Sequence, residues 1–297
     1  MSRKNKASVS ELVISDAKAS PLEHSGGNAK TREIASHYGE VARAASAAPS
    51  ACECCEPDPA HAGEAFFLYA SEALAGLPKS ALAASRGCGD PVAKANLQSG
   101  ERVLDLGSGG GIDALIAARL VGPEGHVFGL DMTPDMVALA RKNAAEANLS
   151  NVEFVEGSID QIPLPDTSVD VVLSNCVINL CKNKAAVFAE AKRVLVPGGR
   201  LVVSDIVAFS PIPQGAEEAL SRITGCRRGI TSTDHYREMM AACGFSHCDI
   251  EPKTVYTIDV LREKAKRKGR TEALETALRF DVGSVCGSAI ICGRVPE

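Results

Sequence analysis

The sequence lacks the features of a nucleic-acid-binding or membrane protein. Its net charge is −5, so there is no basic excess to hold a polyanion, and we expect no nucleic acid partner. The N-terminal segment has some Lys and Arg but no continuous apolar stretch of the kind that forms the core of a signal peptide. No stretch approaches the roughly 18 apolar residues of a membrane span. We therefore expect a soluble, cytoplasmic protein that does not engage a membrane.

Cysteine, by contrast, is abundant, with 11 residues in a chain of 297. A chain of this size without a signal peptide is expected to use reduced thiols for metal binding or catalysis and not to build a disulfide framework. Cys243, Cys248, Cys286 and Cys292 lie in apolar surroundings, where free cysteine packs as a small hydrophobic side chain. The cysteines of the predicted loops are the candidates for chemistry.

A regular alternation of strands and helices begins at Arg102. The segments RVLDLG, HVFGLD, VEFVEG, VDVVLSN and RLVVSDIV are short and apolar, and helical segments separate them. Such a pattern predicts an α/β fold with a parallel, Rossmann-like sheet covered by helices on both faces. One helix is predicted to begin after Thr133, whose side chain can cap the first free N–H groups.

Composition divides the chain into four regions. Residues 1–30 are rich in Ser, Lys and Gly and predict a disordered leader. Residues 31–99 form a helical segment with a cysteine-rich loop, and residues 100–207 form the predicted sheet and its helices. Residues 208–297 begin with a proline-containing insertion and end with a strand pair. Between those strands lies a charged segment, LREKAKRKGRTEALETALRF, whose basic run we expect to form a solvated face of a helix.

A glycine-rich turn follows the first of these strands, in VLDLGSGGGID. Asp105 ends the strand, and Gly107 and Gly109 lie in a turn where the backbone can approach a ligand closely. A pyrophosphate site would need G-x-G-x-x-G, but Ile112 stands in place of the last glycine, so a cofactor without phosphates fits better. Asp131, at the end of the next strand, can accept hydrogen bonds from ribose hydroxyls.

Three cysteines are predicted to meet beside this turn. Cys176 ends the fourth strand together with Asn175, and both lie at the crevice if the sheet reverses its order between the first and fourth strands. Cys88 and Cys226 lie in loops that can fold over the same crevice. Three thiols from three loops would form a soft pocket, which selects a soft, thiophilic centre.

The motifs SRGCGDP, LDLGSGGGID, LDMTPDM, SNCVINL and GCRRGI occur in this order. Together they resemble the arsenite methyltransferases, which use S-adenosylmethionine (SAM), over about residues 31–245. The resemblance implies a Rossmann-like SAM-methyltransferase sheet with an N-terminal helical segment and a C-terminal, substrate-binding insertion. It also implies a detoxification enzyme that methylates arsenite and methylated trivalent arsenicals, acts as a monomer and needs a thiol reductant, either glutathione or thioredoxin.

The resemblance also assigns roles to residues. Cys88, Cys176 and Cys226 match the three arsenic ligands, which are also the catalytic residues. The SAM-binding residues are expected to be Tyr38, Asp105, Gly107, Gly109, Asp131, Met132, Ser158, Ile159 and Asn175. An upstream cysteine of the family pairs transiently with the Cys88 position, and Cys54 or Cys55 of CECC can fill this redox role.

Trivalent arsenic keeps a lone pair after it binds three sulfurs, so it can attack the methyl group of SAM and needs no general base. The thiols are expected to hold and orient this nucleophile. Their reaction with arsenic is expected to need thiolate character, which the positive charge of Arg227 or Arg228 would favour by lowering a cysteine pKa.

Several alternatives stay open at the level of sequence. The chain could be a SAM methyltransferase of small metabolites, or a non-catalytic thiol protein that binds arsenic, antimony or zinc. CECC could be a metal or metalloid clamp or an exposed thiol cluster. Tyr38 lies on the apolar face of a predicted helix, where it could close over the cofactor or make an ordinary core contact.

Overall fold

The computed structural model describes residues 29–47 and 68–297. The predicted leader, up to residue 28, lies outside the described residues, and so do Cys54 and Cys55. Ala29 and Lys30, which composition places in the leader, are the first residues of a helix.

Strands and helices alternate through the centre of the chain, as the sequence predicts. The strands are β1 (Arg102–Leu106), β2 (His126–Asp131), β3 (Val152–Glu156), β4 (Val169–Asn175), β5 (Leu195–Ala208), β6 (Thr231–Ser232), β7 (Ser246–Val255) and β8 (Cys286–Arg294). The helices are α1 (Ala29–Ala47), α2 (Ser71–Leu74), α3 (Lys79–Ala84), α4 (Pro91–Ala95), α5 (Ile112–Val121), α6 (Pro134–Glu146), α7 (Lys184–Val194), α8 (Glu217–Thr224), α9 (Thr233–Ala242), α10 (Ile258–Arg267) and α11 (Thr271–Ala277).

The strands of the described chain form one eight-stranded sheet in the order β3-β2-β1-β4-β5-β8-β7, with β6 beside β5. Strands β1 to β5 are parallel, whereas β8 runs antiparallel to both β5 and β7. The strand order reverses between β1 and β4, which confirms the prediction. Carboxyl ends of strands diverge at such a reversal and leave a crevice for a ligand.

Apolar side chains fill both faces of this sheet. Helices α4, α5 and α6 cover one face, and α7 and α9 cover the other. Strand β4 shows why the fold forms: Val171, Val172 and Leu173 are all fully buried, as expected for a strand with helices on both sides. Helix α1 packs on α3 and α6, beside the carboxyl ends of the strands. Among the described helices, none is long and apolar enough to cross a membrane.

The beginning of α6 differs from the prediction. Thr133 does precede the helix, but its side chain makes no capping hydrogen bond. Its backbone N–H instead donates to Asp131 Oδ1 at 2.9 Å. The prediction of a Thr133 cap is therefore wrong: Asp131 holds Thr133 through its backbone N–H, and the Thr133 hydroxyl accepts no N–H from the first turn of α6.

The charged segment after β7 forms two helices. Gly269, with φ +61°, separates α10 from α11. These two helices and α8 bury a third apolar cluster, which contains Leu220, Ile223 and Leu261 and also Cys88 and Cys226. The segment is therefore part of the structure that surrounds the predicted thiol site.

Candidate active site

A cleft of about 150 Å³ opens at the carboxyl ends of the strands, where their order reverses. Its lining includes the predicted cofactor residues Tyr38, Gly107, Gly109, Asp131, Met132, Ser158, Ile159 and Asn175. Asp105 is the exception, since it is 2% exposed and does not line the cleft. Burial, and secondarily the nearby Asp113, raises the pKa of Asp105 well above its usual range.

The turn after β1 requires glycine for two different reasons. A Cβ at Gly107 would lie 2.5 Å from the Val177 side chain, and the φ of Gly107 is +70°. At Gly109, with φ +51°, a Cβ would have no atom of the described chain within 4 Å, so this side of the turn faces open space. The first glycine thus permits close packing, and the second presents bare backbone to the cleft.

Asp131 holds this turn in place. Its Oδ2 accepts from the Gly109 N–H at 3.0 Å, while Oδ1 accepts from Thr133. Burial raises the pKa of Asp131, and these hydrogen bonds oppose the rise. A carboxylate fixed in this way at the end of β2 can also accept hydrogen bonds from a ribose, and its charge disfavours a phosphate.

The polar groups of the cleft fit a cationic nucleoside cofactor such as SAM. Ser85 and Ser108 line it, and each has a buried hydroxyl oxygen without a hydrogen-bond partner in the described part of the chain. Buried hydroxyls usually have partners, so these two are suited to a ligand's polar groups. The carboxylates of Asp113, Asp131 and Asp160 also line the cleft.

Replacement of Asp131 by Ala is expected to weaken SAM binding about tenfold or more, because a charged acceptor is lost and the Gly109 turn is released. Calorimetric titration of SAM measures the effect. Asp135→Ala is a matched control, because Asp135 does not line the cleft. It lies in the first turn of α6 and pairs with Arg43 of α1. Unchanged SAM affinity in Asp131→Ala would contradict this placement of the cofactor.

Asn175 connects the cofactor cleft with the loop that carries Cys88. Its Oδ1 accepts from the Cys88 N–H at 3.0 Å, and its Nδ2 donates to Gly89 O at 2.8 Å. The same Nδ2 lies 3.0 Å from both Tyr69 Oη and Asp113 Oδ2. One side chain at the end of β4 thus fixes the position of the Cys88 loop.

A second cavity, of about 280 Å³, lies beside the cofactor cleft. Cys88, Cys176 and Cys226 all line it, so the structure brings the three predicted cysteines to one cavity. The two cavities share part of their walls. The shared residues are Tyr38, Arg86, Gly87, Cys176 and Leu180.

Cys176 has an unusual backbone conformation. Its φ is +59°, which is uncommon for any residue with a side chain, and its N–H donates to Ser204 O at 2.8 Å. Such strain persists where the surrounding structure enforces it, often at functional sites. Cys176 forms a disulfide with Cys88, whose Sγ also lies 3.5 Å from Ser204 Oγ.

Asp205, in β5, is a third potential ligand beside this pair. The two cysteine sulfurs and one carboxylate oxygen of Asp205 all lie within 4.8 Å of one another. Cys226 is not part of this group. Asp205 is buried and accepts from Tyr236 Oη at 2.7 Å and from Asn179 Nδ2 at 3.0 Å. Burial raises its pKa to about 6 despite these hydrogen bonds.

Cys226 does not have the electrostatic surroundings that the sequence suggests. Burial, and next the charge of Asp205, raises its pKa to about 12. Arg227 Nη1 lies 2.8 Å from Glu33 Oε1, and Arg228 Nη2 donates to Thr31 Oγ1 at 2.8 Å. For Cys226 the predicted lowering of the thiol pKa is wrong, because burial and the charge of Asp205 raise it, while Arg227 and Arg228 bind side chains of α1.

The four cysteines that the sequence places in apolar segments, Cys243, Cys248, Cys286 and Cys292, all have raised pKa values. Burial is the main cause in each case, and it raises the pKa of Cys248 and of Cys286 to about 11. Cys248 Sγ also lies 3.3 Å from Met240 Sδ. These thiols have the environment of small packed side chains.

Several residues of the site are not predicted from the sequence. Tyr69 and Asp113 hold Asn175, and Asp205 adjoins the thiols. The only signal in the sequence is polar residues in apolar segments, as in FFLY, GGGID and VVSDIV. Most of the basic run is solvated, as expected, since Lys266, Arg267 and Lys268 are exposed, but Lys264 is half-buried, and both Lys264 and Lys268 line the cavity of the cysteines.

This fold, with its glycine turn and acidic residue at the reversal of strand order, defines a methyltransferase domain. A family model described as "Methyltransferase domain" matches residues 97–244. The arsenite methyltransferase of Halobacterium salinarum is 42% identical over 200 residues, which are 67% of this chain and 51% of the relative. That of Aquipseudomonas alcaligenes is 46% identical over 129 residues, 41% of this chain and 37% of the relative.

A solved structure extends the similarity across most of the chain. It is the crystal structure of an arsenic(III) S-adenosylmethionine methyltransferase from Chlamydomonas reinhardtii, with a TM-score of 0.59 and 30% identity. The match covers 82% of this chain and 75% of that one. The chain therefore belongs to the arsenite methyltransferase family, although it spans about half or less of the two curated relatives above.

Proposed function

We propose that this protein transfers methyl groups from SAM to trivalent arsenic, with arsenite and methylated trivalent arsenicals as substrates. The observation that carries the proposal is that the cavity lined by Cys88, Cys176 and Cys226 shares a wall with the cofactor cleft. A nucleophile held by these thiols would lie next to a methyl donor in the cleft. SAM supplies an electrophilic methyl group when bound.

The thiols have a defined chemical role in this proposal. Each bond forms when a thiol sulfur replaces a hydroxide of arsenite, and the thiol proton leaves with that hydroxide as water. The overall exchange releases no proton, so the high pKa of Cys226 does not prevent it. Holding both reactants at near-attack distance can lower the barrier by up to roughly 7–11 kcal/mol.

The direct test is an incubation of the protein with SAM, arsenite and a thiol, followed by chromatographic separation of the arsenic species. Methylated arsenicals that form only with protein and SAM support the proposal. Their absence from a folded, reduced protein that binds SAM would exclude it.

One observation favours a second candidate, a non-catalytic thiol protein that binds a metalloid or metal. After reduction of their disulfide, Cys88 and Cys176 would form with Asp205 the only group of at least three close metal-ligand side chains in the described chain. SAM titration separates the candidates, since a sequestering protein has no need of the cofactor. A methyltransferase of small metabolites would leave the three thiols of the cavity without a role.

The reductant and the CECC segment belong to the same proposal. A thiol reductant, glutathione or thioredoxin, would keep the arsenic-binding cysteines reduced. If Cys54 or Cys55 resolves an oxidised Cys88, replacing both with Ser should spare arsenite binding but make turnover depend on a stronger external reductant. Turnover with glutathione and with dithiothreitol measures this, and normal turnover of the double variant in glutathione alone would exclude the resolving role.

A further inference from the structure

Asp205 is a buried carboxylate that has no role in a site made of three thiols. It lies in β5 with 1% of its surface exposed, and it lines neither of the two cavities. One of its oxygens nevertheless lies within 4.8 Å of the sulfurs of both Cys88 and Cys176. Burial of a charged group is costly, so a carboxylate kept at this position needs an explanation.

Four hydrogen bonds hold this carboxylate. Its Oδ1 accepts from Asn179 Nδ2 at 3.0 Å and from the Ile206 N–H at 2.8 Å. Its Oδ2 accepts from Tyr236 Oη at 2.7 Å and from the Asn179 N–H at 3.3 Å. All four partners are donors, so they favour the ionised form. Burial acts against them, yet a pKa of about 6 leaves Asp205 mostly ionised at neutral pH.

The same hydrogen bonds make Asp205 a poor ligand for arsenic. A carboxylate has about four lone-pair sites, and here each oxygen already accepts two hydrogen bonds. A bond from Asp205 to arsenic would displace at least one buried donor, and an unsatisfied buried donor costs free energy. Asp205 is therefore a fixed negative charge whose orientation is set before a substrate arrives.

The charge of Asp205 acts on the thiol site. After burial, it is the largest cause of the raised pKa of Cys226. Six Lys and Arg residues line the cavity of the cysteines, but water and salt screen the charges of the four that are exposed, which are Arg86, Arg222, Lys268 and Arg270. Asp205 acts across buried protein, where screening is much weaker.

Methyl transfer to arsenic moves positive charge to the side of the site where Asp205 lies. The lone pair of thiol-bound arsenic forms the bond to the methyl carbon, while the carbon–sulfur bond of the sulfonium breaks and its electron pair stays on that sulfur. The sulfonium becomes a neutral thioether, the arsenic becomes the cation, and no proton is transferred. A negative charge fixed beside the arsenic therefore stabilises the transition state more than the ground state.

We infer that Asp205 is the counter-ion for the positive charge that arsenic acquires during methyl transfer. The inference rests on the proposed function, because the arsenic must be bound by Cys88 and Cys176 in their reduced form. It explains why a carboxylate with filled acceptor positions lies buried behind the two sulfurs. Asn179 and Tyr236 are positioning residues, since they act through this carboxylate.

The potential that Asp205 produces at the thiols can be measured without arsenic or SAM. Reduced protein is treated with two methanethiosulfonate reagents, the cationic ethyltrimethylammonium form and the anionic ethylsulfonate form. Each transfers its thioalkyl group to a thiolate and releases methanesulfinate, and mass spectrometry gives the rate constants for Cys88 and Cys176. Their ratio cancels the reactivity of the thiolate. We expect Asp205→Asn to lower the cationic-to-anionic ratio about tenfold or more.

Asp170→Asn is the matched control for the loss of one negative charge. Asp170 lies at the beginning of β4, at the opposite end of the strand from Cys176, and accepts from the Arg102 N–H at 2.8 Å. The reagent ratio of this variant should stay at the wild-type value. An unchanged ratio in folded Asp205→Asn would overturn the inference, and so would equal decreases in the two variants.

Binding and turnover distinguish a counter-ion from a ligand. Arsenic bound to three thiolates carries no net charge, so Asp205→Asn should bind arsenite with nearly wild-type affinity, and X-ray absorption without SAM should show three sulfurs at arsenic in both proteins. Positive charge is near the site before and after transfer, so only its change in distance from Asp205 affects the barrier. We therefore expect kcat to fall about tenfold for arsenite and for monomethylarsonous acid alike, less than the roughly 10²–10³-fold cost of removing an oxyanion-hole donor.

The amide of Asp205→Asn would face donors on both sides, which disfavours folding. The double variant Asp205→Asn/Tyr236→Phe removes one of these donors, and Tyr236→Phe alone keeps the charge. If the single variant does not fold, comparison of the double variant with Tyr236→Phe replaces it, with the same expected changes in reagent ratio and kcat.

Two results would show that Asp205 is a ligand and overturn the inference: an oxygen bonded to arsenic in the wild-type protein, or loss of arsenite binding in folded Asp205→Asn. An unchanged kcat would also overturn it. If the wild-type protein forms no methylated arsenical, the proposed function fails and the inference fails with it. The reagent ratio tells the two failures apart, because it reports the charge at the thiols whether or not arsenic is methylated.

Discussion

Asn175→Ala is expected to lower the rate of arsenite methylation by about 100-fold, because a displacement of about 1 Å at a reacting group can cost that much. The substitution removes the acceptor for the Cys88 N–H and the donor to Gly89 O. It also removes a hydrogen bond to Asp113, a buried carboxylate whose pKa burial already raises to about 7. In the reduced protein, where the Cys88–Cys176 bond is absent, the loop that carries Cys88 would then lose its hydrogen bonds to the end of β4.

Initial rates with saturating SAM measure this effect, and a separate SAM titration shows how much of it comes from the cofactor cleft. Asn151→Ala is the matched control, since the Asn151 amide also bonds two backbone carbonyls, Ala118 O and Gly122 O, on another part of the molecule. A rate within a few-fold of the wild type would show that Asn175 does not position Cys88 for the reaction.

The sheet is the part of the molecule that sequence predicts best. Strands such as VDVVLSN have a continuous apolar run at their centre because both faces are buried there, and this local pattern needs no knowledge of distant residues. The positions of Asn175 and Cys176 follow from the same logic, since they come directly after a buried strand at the carboxyl edge of a parallel sheet.

Contacts between distant segments are what sequence leaves undetermined. Arg227 and Arg228 stand next to Cys226 in the chain, yet they bind Glu33 and Thr31, nearly 200 positions away. Asp205 lies in an apolar strand and reaches the thiols only through the pairing of β4 with β5. In both cases tertiary packing determines which side chains are in contact, and a local sequence pattern does not predict this.

The basic residues of α10 illustrate the same limit. Read along the chain, LREKAKRKGR has the appearance of a solvated helix face, and Lys266 fits that description. Lys264 is only half-exposed, and both Lys264 and the exposed Lys268 line the cysteine cavity, because α10 packs against α8 at the insertion that carries Cys226. A helix can present one face to solvent and place charges of another face in a site.

The three cysteines should be separable by the valence of the arsenic substrate. Arsenite offers three exchangeable positions and can occupy Cys88, Cys176 and Cys226 together. Monomethylarsonous acid has one position filled by carbon, so two thiols suffice. Cys176 lines both cavities and Cys226 comes from the insertion, whereas Cys88 lines only the second cavity and lies on a loop that, once the Cys88–Cys176 disulfide is reduced, is bonded to β4 through the Asn175 amide. We expect Cys88 to be the dispensable ligand.

Cys88→Ser should therefore abolish methylation of arsenite but leave much of the activity on monomethylarsonous acid, whereas Cys176→Ser and Cys226→Ser should abolish both. Chromatography of the arsenic products formed from each substrate measures how the three cysteines divide the two steps. Cys243→Ser, which alters a thiol outside both cavities, is the control.

Asn175→Ala should resemble Cys88→Ser, with a smaller loss of activity on monomethylarsonous acid than on arsenite. Equal losses on both substrates in all three cysteine variants, with folding intact, would refute the division of roles. Full arsenite turnover in any one of them would show that three thiols are not required, and would direct attention to Asp205 as the third ligand beside Cys88 and Cys176.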